Sequence, residues 1–257
     1  MTPPTFEHVR LRLDGHVATV ELDTGHGNYL SVGALAQVAD ALAWADQESA
    51  VRALVLCSAG KVFCAGADFK AMAQNGDRSP APLYEQAKRL IGGRKPIVAA
   101  IQGAAVGAGA GLALLADARI VGPKARFMLN FAKLGFHAGF GLSATLPWTV
   151  GPHKASLLLM DAAPIDAESA VRWGLADAQA SEETLGAVAH QQAQRLAANA
   201  PLAVQAMRLT MRARLIADFP NALDHELRLQ LQHMQSQDFI EGITASMSQR
   251  EPRFTGA

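Results

Sequence analysis

The sequence has little cysteine, few aromatic residues and no excess of charge of either sign. Its two cysteines, Cys57 and Cys64, provide neither a disulfide framework nor the spacing of a metal site. Lys plus Arg and Asp plus Glu each number 23, so the formal net charge is zero. No basic stripe with interleaved aromatic residues is present, which argues against a nucleic-acid partner.

The sequence also lacks a hydrophobic run that could span a bilayer. The most apolar stretch, residues 97–117, contains Gln102 and several glycines. The first ten residues, MTPPTFEHVR, lack the basic and apolar segments of a secretory signal. We therefore expect a soluble, cytoplasmic protein without a membrane partner.

The residues that are present follow an α/β pattern, and 50% of the 257 are hydrophobic, enough for a sizeable core. Residues 9–22 alternate apolar and polar positions around an Asp14-Gly15 turn, which predicts a β-hairpin. Ser31 is a suitable N-cap for an amphipathic helix over residues 32–45. Residues 52–58 then predict a buried strand, giving the order strand, helix, strand.

The stretch from Ile97 to Asp117 combines a strand, a loop of small residues and an apolar helix. Residues 97–101 predict a buried strand, and residues 105–111 are Gly or Ala except for Val106. A buried helix that begins in such a loop presents free N–H groups, which suit an anion or an oxyanion. Close packing of the helix on the sheet is the alternative interpretation. The Gly107-to-Gly111 spacing matches a dinucleotide-binding motif only weakly.

A second small-residue loop, Lys61 to Lys70, follows the strand at residues 52–58. Both loops should lie at the carboxyl edge of a sheet, where open α/β folds bind ligands. Two such loops could supply two N–H donors to one oxygen. The polar segment from Gln74 to Pro82 is a candidate lid, and residues 84–91 predict a helix.

The second half of the sequence becomes increasingly helical. Residues 127–141 are Gly-rich and predict irregular structure, and Asp166 begins a short helix. From Ser181 to Met247 the period is helical, with breaks expected at Pro201 and Pro220. An α/β core followed by a helical tail is the predicted architecture.

Two of these stretches, FCAGAD at 63–68 and GAAVGAG at 103–109, together resemble the crotonase superfamily, the enoyl-CoA hydratase/isomerase family. The resemblance covers nearly the whole chain. It continues through Ala116-Asp117, Leu134-Gly135 and the tail ending at Arg253-Phe254.

The resemblance implies an α/β fold of repeated ββα units with a C-terminal helical region. Residues 1–200 would form the α/β core, and residues 201–257 would form a helical oligomerisation or lid region. Such proteins pack as homotrimers or pairs of trimers and bind acyl-CoA thioesters. The family needs no cofactor beyond the coenzyme A of its substrate, and it implies no metal.

By motif position, the resemblance implies that the backbone N–H groups of Ala67 and Ala108 hold the thioester oxygen. An enolate places negative charge on that oxygen, and each preorganised donor is worth roughly 3–4 kcal/mol. Ala65, Gly66 and Gly107 would contact the substrate beside these donors.

The same resemblance places three polar side chains near the coenzyme A. Lys61 or Lys70 could meet a phosphate, or both could be solvated surface lysines. Asp68 follows the first donor and is often structural in this family.

The sequence departs from the family at its acid and base positions. The hydratases use two glutamates, and the matching positions here are Gly111 and Phe131. The double-bond isomerases place a glutamate near Gly139, and this sequence has none there. Hydration is therefore not expected, because none of these side chains can transfer a proton.

Two histidines are candidates to replace the missing carboxylates. His137 lies in the loop that faces the acyl group in the family, and His26 follows the second strand. A histidine titrates near neutral pH and suits proton transfer. The alternatives are a histidine packed at a subunit contact, or Cys64 acting as a nucleophile.

Four functions remain open from the sequence. The first is enolate chemistry that needs no carboxylate base, such as decarboxylation of a malonyl-type thioester. The stretch from Leu134 to Pro147 resembles decarboxylating family members of polyketide pathways. The others are a non-catalytic acyl-CoA-binding subunit, a hydrolase of thioester or carbon–carbon bonds, and a nicotinamide enzyme.

Overall fold

The fold was analysed in a computed structural model that describes residues 3–68 and 79–257. Its strands are β1 (Val9–Asp14), β2 (Val17–Leu22), β3 (Ala53–Ser58), β4 (Ile97–Ile101), β5 (Ala104–Val106), β6 (Ala118–Val121), β7 (Arg126–Met128), β8 (Ile165–Asp166) and β9 (Ala178–Gln179). Its helices are α1 (Val32–Gln47), α2 (Ala81–Lys88), α3 (Ala108–Leu114), α4 (Leu142–Val150), α5 (Pro152–Asp161), α6 (Ala167–Arg172), α7 (Leu185–Ala197), α8 (Pro201–His233) and α9 (Gln237–Met247).

Two sheets share these strands. The larger has the order β1-β2-β3-β4-β6-β9, and all of its pairs except β1-β2 are parallel. The smaller has the order β5-β7-β8. The chain passes from the larger sheet to the smaller between β4 and β5, where Gly103 packs against the Lys61 carbonyl so closely that a side chain would not fit. The predicted ββα unit is present as β1-β2-α1 and again as β4-β5-α3.

Both faces of the larger sheet are buried. On β3, Leu54 and Leu56 face the main core, whereas Val55 faces a second cluster with Val98 and the helix α7. This alternation follows from the two-residue period of a strand. It confirms the buried strands predicted at residues 52–58 and 97–101.

Helix α8 is tied to the α/β core by a buried ion-pair group at Asp117. The Asp117 carboxylate accepts hydrogen bonds from Arg208 Nε at 2.8 Å, from Arg212 at 3.1 Å and from the Ile97 N–H at 2.8 Å. Removing one member of such a group would leave a buried charge unpaired. Helix α8 therefore packs on the core beside Ile97, at the start of β4.

The break expected at Pro220 is wrong, because α8 continues from Pro201 to His233. Leu215, Phe219 and Leu223 on this helix are buried in the main core. Their packing outweighs the backbone hydrogen bond that proline cannot donate. The break expected at Pro201 is confirmed, since Pro201 begins the helix.

Several other boundaries differ from the prediction. Helix α2 lies over residues 81–88 rather than 84–91. Residues 127–141, expected to be irregular, include the end of β7 and a short 3₁₀ turn at Ala132–Leu134. The candidate lid lies partly outside the described residues, because only its part from Ser79 onward is described.

The described part of the chain contains no helix that is long and apolar enough to cross a membrane. Within the same ranges, no group of three or more His, Cys, Asp or Glu side chains is placed to hold a metal ion.

Candidate active site

A cavity of about 200 Å³ lies where the two small-residue loops meet helix α2 and the loop before α4. Seven of the residues singled out by the sequence line it: Ala65, Gly66, Ala67, Gly107, Ala108, Phe131 and Gly139. The sequence analysis therefore placed these seven residues in one site although they are spread over 75 positions from Ala65 to Gly139.

The two loops are joined by backbone hydrogen bonds. The Cys64 N–H donates to the Ala104 carbonyl at 3.0 Å, and the Val106 N–H donates to the Cys64 carbonyl at 2.9 Å. Gly66 has a φ of 99°, and a methyl group there would lie 2.9 Å from the Val106 carbonyl oxygen. Only glycine fits this position at low cost, because φ is positive and the opposite strand is close.

The N–H groups of Ala67 and Ala108 have no hydrogen-bond acceptor among the described residues. Their neighbours are satisfied: the Asp68 N–H donates to the Leu30 carbonyl at 3.0 Å, and the Gly107 N–H donates to the Met128 carbonyl at 2.9 Å. Ala108 is the first residue of α3 and is 8% exposed. Ala67 is half-buried, and both residues line the cavity, so the two N–H groups are available to a ligand there.

Residues 111 and 131, where the resemblance implies glutamates in hydratases, lie in hydrophobic surroundings. Gly111 is buried in α3, and a methyl group on it would lie 2.6 Å from Phe140 Cδ1. Phe131 lines the cavity and packs its ring 5.4 Å from that of Phe136. None of the described lining residues is an acid, a histidine, a lysine or an arginine.

The loop that carries Phe140 has a strained backbone. Phe140 has a φ of 61°, a region that bulky residues rarely adopt, and Gly141 follows with a φ of 73°. Side chains from other elements satisfy the N–H groups of this loop. Phe140 donates to Tyr84 Oη at 3.1 Å, and Gly141 and Ser143 each donate to the Glu226 carboxylate at 2.7 Å. These hydrogen bonds hold the loop in a conformation that would otherwise be unfavourable.

Tyr84, Gln230 and Glu226 are functional candidates that the sequence analysis missed. Tyr84 Oη donates to Gln230 Oε1 at 2.8 Å, and Gln230 Nε2 donates to the His137 carbonyl at 2.8 Å. Tyr84 and Gln230 line the cavity. Burial raises the pKa of Glu226 to about 7, and the hydrogen bonds from Ser143 and Gly141 limit that rise.

A sequence signal for Glu226 and Gln230 did exist. The buried positions of α8 are Arg208, Arg212, Leu215, Phe219, Leu223, Glu226 and Gln230. They recur every three or four residues, so both polar residues continue the apolar face of the helix.

His137 does not line this cavity. It lines a separate, wider depression with Met160 and His233, and its ring Nδ1 lies 2.7 Å from the Ala138 carbonyl oxygen. Its backbone N–H donates to His233 Nδ1 at 3.1 Å. The structure therefore places His137 in this depression and not in the cavity that Ala67 and Ala108 line.

Of the other residues singled out by the sequence, His26, Lys61, Cys64 and Asp68 do not line the cavity. His26 and Lys61 are exposed, and Asp68 is half-buried. Lys70 lies outside the described residues. Cys64 is fully buried, and burial raises the pKa of its thiol to about 12, so it does not suit nucleophilic catalysis.

Comparisons with known proteins agree with this architecture. A family model described as enoyl-CoA hydratase/isomerase matches residues 12–257. A probable enoyl-CoA hydratase of Mycobacterium tuberculosis is 38% identical, over 94% of this chain and 98% of the relative. The 1,2-epoxyphenylacetyl-CoA isomerase of Escherichia coli is 32% identical, over 86% and 87%. The crystal structure of carnitinyl-CoA hydratase from Mycobacterium avium superposes with a TM-score of 0.88 at 29% identity, over 98% and 100%.

Replacing Gly111 by Ala should destabilise the protein, because the new methyl group would press on the Phe140 ring 2.6 Å away. We expect a loss of about 1–3 kcal/mol of unfolding free energy, as for other overpacked cores. Gly186→Ala in α7 is the matched control, since its methyl group would meet no atom within 4 Å. That variant should gain up to about 1 kcal/mol. Urea unfolding measures both, and equal effects would contradict the packing.

Replacing Glu226 by Gln should remove a pH dependence of stability. The folded-state pKa of Glu226 is raised from 4.5 to about 7, so its favourable contribution is present below pH 4.5 and is lost as the pH rises through 7. This pH-dependent part of the unfolding free energy is roughly 3 kcal/mol in the wild type, and it should be absent from the variant. Urea unfolding of both proteins at about pH 5 and pH 8 measures the difference. Parallel pH profiles would contradict this account of Glu226.

Proposed function

The chain belongs to the enoyl-CoA hydratase/isomerase family, and on that premise we propose that it binds an acyl-CoA thioester and stabilises its enolate with the N–H groups of Ala67 and Ala108. The observation that carries the proposal is this pair of donors, which line one cavity and have no acceptor among the described residues. A thioester oxygen placed between them would accept both hydrogen bonds.

These donors favour the transition state over the bound substrate. A thioester carbonyl is neutral, whereas the enolate places negative charge on the same oxygen. Donors that are fixed by the fold need no reorganisation when that charge forms, and each is worth roughly 3–4 kcal/mol. Ala67 and Ala108 lie on loops that are bonded to each other, so their relative position is preorganised.

Hydration is not favoured at this site. Addition of water needs groups that hold the water and move its protons, and the described cavity lining has no carboxylate or imidazole. The Phe140 ring stands against Gly111, so the volume that a hydratase glutamate would need is filled. The cavity therefore does not suit the activation of water.

Decarboxylation of a malonyl-type thioester needs no base. The bond between the α-carbon and the carboxylate breaks, its electron pair stays on the α-carbon, and the charge spreads to the thioester oxygen between Ala67 and Ala108. Carbon dioxide leaves without a proton transfer. The chemistry requires only an oxyanion site and a later proton donor.

The cavity lining also favours loss of carbon dioxide, because it solvates the substrate carboxylate poorly. Its described residues are mainly apolar, with Leu83, Val106, Phe131 and Phe136 among them, and none is cationic. A carboxylate is poorly solvated in such a place, whereas the transition state for loss of carbon dioxide has more dispersed charge. The cavity therefore destabilises the substrate carboxylate, which becomes neutral carbon dioxide, and stabilises the thioester oxygen that gains negative charge.

We expect the protein to release carbon dioxide from a malonyl-type thioester such as methylmalonyl-CoA. We expect no water addition to crotonyl-CoA and no exchange of α-hydrogens in butyryl-CoA, because both reactions need a base. Incubation in deuterated water followed by mass spectrometry of the thioesters measures all three.

Ala108→Pro is the informative variant for this experiment. Proline suits the first position of a helix, as at Pro152 and Pro201 here, so it can begin α3 while its ring methylene takes the place of the N–H that the proposal uses. Carbon dioxide release should fall by about 10²–10³-fold, with the melting temperature as the control for folding. Wild-type protein that binds every thioester and changes none would contradict the proposal and favour a non-catalytic acyl-CoA-binding subunit. Free thiol would instead indicate a hydrolase.

A further inference from the structure

The enolate that remains after loss of carbon dioxide must take up a proton at its α-carbon. We propose that the hydroxyl group of Tyr84 donates that proton, an inference that rests on the proposed function. Tyr84 lines the same cavity as Ala67 and Ala108. An acyl group bound in this cavity would therefore share it with both the oxyanion donors and this phenol.

The polar side chains of the described lining allow few alternatives. They are Tyr29, Tyr84, Asn130 and Gln230. The two amides do not release a proton at neutral pH. Tyr29 is 45% exposed at the edge of the cavity, whereas Tyr84 is 4% exposed. Tyr84 is therefore the described lining group with an acidic proton that is shielded from bulk water.

Two hydrogen bonds fix the Tyr84 hydroxyl. Its oxygen accepts from the Phe140 N–H at 3.1 Å, and it donates to Gln230 Oε1 at 2.8 Å. Because Gln230 Nε2 donates to the His137 carbonyl at 2.8 Å, the amide orientation is set and Oε1 must face the phenol. The hydroxyl hydrogen needs only to rotate about the C–O bond to reach a carbanion in the cavity.

The absence of a side chain at residue 139 makes room for this hydroxyl. A methyl group on Gly139 would overlap both Tyr84 Oη and Gln230 Nε2. The family's isomerases are expected to carry a carboxylate near this position. In this chain the hydroxyl comes from α2 instead, and the amide comes from α8. The Tyr84 hydroxyl thus lies where a side chain at residue 139 would otherwise be.

The environment keeps Tyr84 in the form that can donate. Burial, and next the charge of Glu226, raise the pKa of Tyr84 well above its ordinary value. The phenol therefore stays protonated at neutral pH and cannot act as a base towards a saturated thioester. An enolate carbon is a far stronger base than a phenolate, so transfer from the phenol to carbon remains favourable.

The step balances without another reactant. The carbon–carboxylate bond breaks and carbon dioxide leaves, and the electron pair on the α-carbon forms a bond to the Tyr84 hydrogen. The resulting phenolate faces the Phe140 N–H, takes a proton from water and restores the phenol. One proton is consumed for each carbon dioxide that is released.

Methylmalonyl-CoA in deuterated water tests this role, because the planar enolate formed from it can take up deuterium on either of two distinguishable faces. Wild-type protein should place deuterium on one face. Tyr84→Phe should still release carbon dioxide, with a loss much smaller than the roughly 10²-fold expected if an acid served the slow step. Its product should carry deuterium on both faces equally, because water replaces the fixed donor. Stereochemical analysis of the propionyl group measures the ratio.

Two control variants distinguish an effect of the Tyr84 hydroxyl on the deuterated face from an effect of the loop around Phe140. Tyr29→Phe removes the other phenol of the lining and should keep deuterium on one face. Gln230→Leu removes the contact with the His137 carbonyl and the acceptor of the Tyr84 hydroxyl, but it keeps the phenol and its contact with the Phe140 N–H. It should therefore retain a preference for that face.

The possible failures can be told apart. No carbon dioxide from the wild type would overturn the proposed function and the role of Tyr84 with it. One-sided deuteration by Tyr84→Phe would overturn only the role of Tyr84. Equal loss of selectivity in Tyr84→Phe and Gln230→Leu would also overturn it, because the loop and not the hydroxyl would then control the face.

Discussion

The candidate site depends on a strained loop that is held by side chains from distant parts of the chain. Phe140 adopts a left-handed conformation, and its loop persists because Tyr84 and Glu226 accept its N–H groups. Helix α8 supplies Glu226 and Gln230 and is itself tied to the core through Asp117. The shape of the cavity thus depends on how α8 packs, although most of the lining residues come from the first half of the chain.

Under the proposed function, this arrangement would let Ala67 and Ala108 stabilise an enolate although the described cavity lining has no carboxylate. The strained backbone turns the Phe140 ring onto Gly111 and brings the Gly139 backbone to Tyr84. The first contact leaves no room for a side chain at residue 111, and the second places the Tyr84 hydroxyl against Gly139. Ala67 and Ala108 are unaffected, because their positions depend on the hydrogen bonds between β5 and the 61–68 loop. In the proposed reaction, the strained loop would set the proton donor, and the joined loops would set the position of the two N–H groups.

The parts that sequence could predict are those set by local pattern. The strand at 97–101 and the small-residue loops were evident because apolar periodicity and glycine content act over a few residues. Strands β8 and β9 have two residues each and carry no such signal. Contacts between distant residues were also missed: nothing local indicates that Tyr84 meets Gly139, or that the ring of His137 turns outward. Pro220 was misjudged because core packing outweighed a local rule.

The central claim is that the Ala67 and Ala108 N–H groups bind the thioester oxygen. Infrared difference spectroscopy with a thioester labelled with ¹³C at the carbonyl tests it directly, because hydrogen bonds to the oxygen weaken the C=O bond and lower its stretching frequency. The account predicts a lower frequency for butyryl-CoA bound to the wild type than in water, and a partial return in Ala108→Pro. A carbonyl band that is the same in both proteins and unshifted from water, with the thioester bound, would contradict the account.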